Sequence, residues 1–156
     1  MCLSTFKRNR HTCRRPRQCY KIVALSKDGT SWKGMYLHND KSFKFNEILE
    51  EKPVDVKYYY HGTTYIGEGF FHYYRDYGKA LAIAKSLLSA DSPLAHGMRR
   101  TKRKSIFDES FTKNDDFLCL AVCPCTIPIG SDYFTNSRGC GASNKIIVHE
   151  PTDLIR

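Results

Sequence analysis

The sequence contains no apolar run that approaches the roughly 20 residues of a membrane-spanning helix. Its opening segment, MCLSTFKRNR, also lacks the apolar stretch of about 7–15 residues that marks a secretory signal. No helix-turn-helix, zinc-finger or ribonucleoprotein signature is present. Together these absences predict a cytoplasmic protein with no membrane partner, and the seven cysteines are expected to be reduced thiols.

Acidic residues are missing from the first seventeen positions, where six of the 25 basic residues are concentrated. This concentration of charge, in a chain with a net charge of +9, predicts a basic arm over residues 1–18. The length of 156 residues predicts a single domain over residues 19–156. A second basic run lies within residues 92–114, where the absence of periodicity predicts an exposed loop. Such charge attracts phosphorylated ligands and polyanions, and the alternative interpretation is that it only aids solubility.

Alternating and continuous apolar segments predict strands on both sides of one helix. Strands are expected at 20–25, 32–37, 54–61, 117–130 and 144–149, and a loop with a short helical turn at 38–53. The helix is expected at about 77–90, because Asp76 is a good N-cap and Ala80, Ala84 and Leu88 share an apolar stripe. This order favours an α+β fold in which a mainly antiparallel sheet carries one principal helix on one face.

Three short motifs are spread along the chain. They are Met1-Cys2-Leu3, Gly69-Phe70-Phe71-His72-Tyr73 and Ile127-Pro128-Ile129-Gly130-Ser131-Asp132-Tyr133-Phe134. This layout resembles small proteins of phages and gut bacteria, although the second phenylalanine before His72 and the basic arm before Tyr20 are departures. The resemblance implies a phage or mobile-element context, with the protein in the cytoplasm of the host cell, and it implies no particular activity.

Residues 58–77 combine seven tyrosines, two phenylalanines and two histidines with three glycines. Aromatic faces stack on bases, glycine permits close approach of the backbone, and arginine pairs with phosphate. The segment therefore predicts binding of an anionic, nucleotide-like ligand without a cofactor or catalysis, and in a phage it would sequester a host immune signalling nucleotide. Sheet packing of the tyrosines is the alternative. The predicted ligand-binding residues are Tyr58, Tyr60, His61, Tyr65, Phe71, His72, Tyr74, Arg75, Lys79, Arg99 and Arg100.

The tripeptide His61-Gly62-Thr63 resembles the opening motif of the diphtheria-toxin and poly-ADP-ribose-polymerase branch of ADP-ribosyltransferases. That resemblance implies an enzyme with NAD as substrate. It places His61 on the nicotinamide ribose, Tyr133 against the nicotinamide ring and Glu150 as the acid that polarises the ribose. Residues 133–150 leave little room for the strands that usually separate the last two groups.

The cysteines suggest a metal-binding site, and the basic runs suggest binding of a polyanion. Cys119, Cys123 and Cys125 share strand parity, so with Cys140 they are candidates for structural zinc. Packing of thiols as small apolar groups is the alternative. Nonspecific nucleic-acid binding, with phosphates on the basic runs and bases on aromatic rings, is a further alternative.

Overall fold

The computed structural model describes residues 3–6, 10–26, 28–34, 42–51, 57–59, 63–66, 70–88, 117–135, 138–151 and 154–155. Within these ranges there is one helix, α1 (Tyr77–Leu88). The strands are β1 (Leu3–Phe6), β2 (Arg10–Thr12), β3 (Arg17–Ser26), β4 (Ser31–Gly34), β5 (Phe43–Lys44), β6 (Ile48–Glu50), β7 (Lys57–Tyr59), β8 (Thr63–Ile66), β9 (Phe71–Tyr74), β10 (Phe117–Ile127), β11 (Asp132–Thr135), β12 (Cys140–Ser143), β13 (Lys145–Val148) and β14 (Leu154–Ile155).

The centre of the fold is the long antiparallel pair of β3 and β10. At one end of this pair both segments bend. Beyond the bend, β2, which precedes β3, pairs with β11, which follows β10. At the bend, the Cys13 amide donates to the Ser131 carbonyl and the Gly130 amide donates to the Cys13 carbonyl, each at 2.8 Å. Gly130 has a φ of 84°, as the third residue of the tight turn that the Pro-Ile-Gly sequence predicts.

In the main sheet, β9 connects the strands β2, β11 and β12 to the central pair of β3 and β10. The strand order of this sheet is β2-β11-β12-β9-β3-β10-β13-β6, with β4 and β5 added beside β3 and β14 added beside β10. Because β10 leads directly into β11, and β9 pairs with both β12 and β3, the sheet curls around one side of the core. A separate sheet has the order β1-β8-β7, and every described strand pair is antiparallel.

The helix begins where the sequence predicts. The Asp76 carboxylate accepts a hydrogen bond from the Lys79 amide at 2.7 Å, which satisfies a donor of the first turn. Ala80 and Ala84 are completely buried against β3 and β10, and their small side chains let the helix approach the sheet closely. The described residues confirm a mostly antiparallel sheet with a single helix, which fits the predicted α+β class only loosely because the helix is a small part of a sheet-dominated fold.

The two faces of the β3–β10 pair carry different side chains, because strand residues alternate between faces. We call the side covered by α1 the helix face; it includes Ile22, Ala24, Leu120 and Val122. The opposite side, here called the thiol face, is covered by large rings rather than by a helix. Its buried residues include Cys19, Val23, Cys123, Cys125, Trp32, Phe45, Phe71, Tyr73, Ile146 and Val148.

The structure contains several strands that the sequence-based expectation does not include, among them β1 and β2 in the predicted basic arm and β8 and β9 in the glycine-containing segment. The predicted loop at 38–53 contains β5 and β6, joined by a turn in which Asn46 has a φ of 61°. The stretch between the predicted strands at 117–130 and 144–149 contains β11 and β12. The predicted exposed loop at 92–114 lies outside the described residues.

Candidate functional site

Several predicted ligand-binding residues have no described side chain. Tyr60, His61, Arg99 and Arg100 lie outside the described residues. Tyr58 is on β7 and Tyr65 on β8, strands for which only the backbone is described. Their roles stay predictions.

The aromatic residues of β9 pack inside the protein. Phe71 is only 1% exposed and Tyr74 is 8% exposed. The Tyr73 hydroxyl donates to the Phe134 carbonyl at 3.3 Å, and the carbonyl of half-buried His72 accepts a 2.7 Å hydrogen bond from Lys21 Nζ. These residues therefore hold the sheet together, and a ligand-binding role for Phe71, His72 and Tyr74 stays a prediction.

Two other predicted residues, Arg75 and Lys79, lie near a third basic residue, Arg138, at the hairpin between β11 and β12. The Arg75 amide donates to the Gly139 carbonyl at 2.9 Å, which fastens the end of β9 to the hairpin. A Cβ atom on Gly139 would lie 3.7 Å from Lys79 Nζ, so the lysine side chain passes over this glycine. Arg138 precedes Gly139 and is exposed. We call Arg75, Lys79 and Arg138 the hairpin cation cluster.

The cluster produces a positive local field at the start of α1. It surrounds Cys140, whose pKa is raised mainly by burial, while Lys79, Arg138 and Arg75 act in the opposite direction. The first turn of α1 contains no acidic residue, and the carboxylate of Asp76, just before the helix, accepts the Lys79 amide. Cys140 is therefore a protonated thiol near neutral pH, and the basic side chains around it form the polar surface.

A second basic surface lies at the bend between β2 and β3, where Arg14 and Arg15 are exposed. The ring of Tyr133 is 7% exposed because other side chains cover it. The Arg17 Nη1 atom donates to the Tyr133 hydroxyl at 2.9 Å, and the guanidinium carbon is 4.9 Å from the ring centroid. The exposed His11 ring lies 5.3 Å from the same ring, centroid to centroid.

The three residues of the ADP-ribosyltransferase hypothesis are not seen together. Tyr133 contacts Arg17 and His11, whereas Glu150 is exposed and lines an open pocket of about 630 Å³ formed mainly by the β3–β4 turn and β5. His61 lies outside the described residues. The use of NAD as a substrate stays a prediction.

The candidate zinc cysteines with described side chains are buried thiols. Burial raises the pKa of Cys123 to about 12 and raises that of Cys125 well above its ordinary value. Lys21 lies opposite Cys123 on the neighbouring strand, and its pKa is lowered, chiefly by burial. The side chain of Cys119 is not described, and within the described residues no group of three or more histidine, cysteine or acidic residues has a metal-binding arrangement.

One polar constellation has no counterpart in the sequence-based predictions. The Thr126 hydroxyl is 2.8 Å from His149 Nε2, and His149 Nδ1 is 2.9 Å from Asn46 Oδ1. Thr126 is on β10, His149 directly follows β13, and Asn46 is in the β5–β6 turn. Their wide separation in sequence leaves no local motif, so only the fold reveals them.

Comparison of this chain with protein-family models, with curated proteins and with solved structures finds no match. Within the described residues, no helix combines the length and apolar character needed to cross a membrane. The two resemblances therefore stay predictions, and function has to be argued from the geometry of the side chains.

Proposed function

We propose that the protein binds an anionic, phosphate-bearing ligand of the nucleotide type at the hairpin cation cluster, without turning it over. The observation that supports this proposal is that Arg75, Lys79 and Arg138 all lie close enough to Cys140 to act on its charge, with the Arg75 amide and the Lys79 side chain against Gly139. Two of these three residues are also expected on sequence grounds to bind the ligand. Arg138 extends the predicted set.

The chemistry of the cluster suits a phosphate group better than a carboxylate. Arginine offers planar pairs of N–H donors that match phosphate oxygens, and lysine adds a compact point charge. The positive end of the α1 dipole lies at the same place and favours negative charge. The cluster brings three positive charges together, and a diphosphate or cyclic dinucleotide supplies more than one negative charge to interact with them.

The biological role that we attach to this site is sequestration of a host immune signalling nucleotide in a phage setting. A sequestering protein needs affinity and slow release, and it needs no acid, base or nucleophile at the bound phosphate. The burial-raised pKa of Cys140 agrees with that requirement, because the protonated thiol is a poor nucleophile.

Titration calorimetry with pyrophosphate, ADP-ribose, NAD and a cyclic dinucleotide tests the proposal. Arg75→Gln, Lys79→Gln and Arg138→Gln should each weaken binding about tenfold or more, because a hydrogen bond to a charged group contributes about 1.5–3 kcal/mol. Arg14→Gln and Arg15→Gln remove the same charge at a different exposed surface and are the matched controls. Equal losses in both sets, or release of nicotinamide from NAD, would contradict the proposal.

The β2–β3 bend supports nucleic-acid binding as a second candidate function. Arg14 and Arg15 are exposed there, and the neighbouring exposed His11 ring offers a face on which a base can stack. Affinity for a short single-stranded oligonucleotide should then fall steeply with salt through counterion release. In this case Arg14→Gln and Arg15→Gln should weaken binding, and the hairpin cation cluster variants should not.

A further inference from the structure

We infer that Thr126, His149 and Asn46 form an acyl-transfer site, with Thr126 as nucleophile, His149 as general base and Asn46 as the residue that positions the imidazole. This inference is independent of the proposed anion site, because it uses other residues in another part of the fold. It rests on two hydrogen bonds of 2.8 Å and 2.9 Å that join the three side chains in a line.

The hydrogen-bond partners fix the tautomer of His149. The Asn46 Oδ1 atom accepts hydrogen bonds and cannot donate, so His149 Nδ1 carries the proton and donates to it. His149 Nε2 is then the basic nitrogen, and it accepts the hydrogen bond from the Thr126 hydroxyl. A hydroxyl bonded to a basic imidazole, which a third group orients, is the arrangement that activates a hydroxyl nucleophile.

The backbone holds the three residues in place. The His149 amide donates to the Pro124 carbonyl at 2.9 Å, and the Asn46 amide donates to the Val148 carbonyl at 2.8 Å. Thr126 pairs with Ile147 across β10 and β13. Asn46 has a left-handed φ of 61°, a conformation that asparagine tolerates better than most residues and that is often found at functional sites.

The site is within reach of small molecules. Thr126 and His149 are half-buried, and Asn46 is exposed. The chain neighbours Phe45, Glu47 and Glu150 line the open pocket of about 630 Å³. Because the three residues are only partly buried or exposed, an activated ester of modest size is the class of substrate that we assign to them, with its acyl carbon at Thr126.

The proposed reaction balances without a cofactor. Thr126 Oγ1 attacks the carbonyl carbon of the ester while its proton passes to His149 Nε2. The tetrahedral intermediate expels the alcohol, which takes that proton from His149, and Thr126 is left as an ester. A water molecule then gives a proton to His149 and attacks the threonyl ester. The carboxylic acid leaves, and the Thr126 hydroxyl is restored by the proton from His149.

The full-length protein treated with p-nitrophenyl acetate tests this inference through p-nitrophenolate release and peptide mapping by mass spectrometry. We expect either acetylated Thr126 or turnover that requires the same residue. Thr126→Val should abolish both signals, whereas Thr12→Val, on exposed β2, should leave them unchanged. His149→Gly should slow release about 100-fold or more, in line with the contribution of a general base.

Two further readouts separate catalysis from a structural role. Added imidazole should restore part of the activity of His149→Gly, which a purely structural histidine would not permit. Asn46→Gly keeps the left-handed turn but removes the acceptor, so kcat should fall while KM changes little. The inference is overturned if acetylation occurs only at other residues, or if a folded His149→Gly variant, checked by its melting temperature, reacts at the unmodified rate.

Discussion

The helix face and the thiol face share the same two central strands but are filled by different chemistry. On the helix face, Ala80 and Ala84 lie against aliphatic residues of β3 and β10, so the close approach of α1 fills the space. On the thiol face no helix is present in the described structure, and the rings of Trp32, Phe45 and Phe71 fill the space instead. The first face depends on close backbone approach, and the second depends on bulky side chains.

The faces also differ in buried ionisable groups. The thiol face contains Cys123 and Cys125, whose pKa values burial raises, and Lys21, whose pKa burial lowers. Burial also raises the pKa of Tyr73 on the same face. The stability of this face should therefore depend on pH more strongly than that of the helix face, where Cys140 is a buried thiol with a raised pKa and most other contacts are aliphatic or alanine.

Trp32→Ala should be the most damaging of the substitutions considered. The indole ring is 0% exposed, and its removal leaves a cavity that costs about 3–5 kcal/mol of unfolding free energy. Urea denaturation measures this loss. Trp32→Phe is the control: it keeps an aromatic ring and removes the Nε1 donor, which has no hydrogen-bond partner within the described residues, so it should cost much less. Equal costs for the two variants would show that ring volume is unimportant.

Gly141→Ala should come next. A Cβ atom at this position would collide with the buried ring of Tyr73. Overpacking of this kind costs about 1–3 kcal/mol. Thermal unfolding of Gly141→Ala, Tyr73→Leu and the double variant tests the clash: the double variant should be more stable than the sum of the single losses predicts, and simple additivity would argue against it.

Cys123→Ala should change how stability depends on pH. The pKa of this thiol is about 12 when folded and 9.0 in the reference state. The unfolded chain therefore loses the proton first as pH rises above 9, and the contribution of Cys123 to stability declines until pH reaches about 12. The difference in unfolding free energy between wild type and variant should shrink by up to about 1.4 kcal/mol per pH unit. Ile22→Val, on the helix face, should show an offset that does not vary with pH.

Asp76→Ala should have the smallest effect. It removes the acceptor that satisfies the Lys79 amide, so the helix face should lose about 1 kcal/mol. Asp76→Asn is the matched control, since asparagine is an equally good N-cap and removes only the charge. Circular dichroism during urea denaturation reports both, and a loss of similar size in both variants would assign the effect to charge rather than to capping.

Local patterns in the sequence predict the helix face better than the thiol face. Asp76 and the alanine spacing indicate the start and the buried side of α1, and the apolar stretches indicate β3, β10 and β13. The strand β12, with the sequence CGAS, has little strand propensity and is held by pairing with β9 and β11. Short β6 likewise depends on β13, a partner that is distant in the chain.

Local sequence patterns also predict only part of the candidate sites. Charge and residue type indicate Arg75 and Lys79, but Arg138 joins them only because Gly139 bonds to Arg75. Thr126 and His149 become neighbours through the pairing of β10 with β13, and Asn46 reaches them through a turn with an unusual φ. Contacts of this kind follow from the assembled sheet, so spacing along the chain contains no signal for them.

The pairing of β3 with β10 also has a consequence for the time course of folding. Ser26 lies opposite Phe117 and Arg17 lies opposite Ile127, so the partners are 91 to 110 positions apart. The entropy of closing so large a loop is lost before the core contacts of both faces can form. We therefore expect refolding on the millisecond-to-second scale typical of sheets with non-local pairing, with the meeting of these two strands as the slow event.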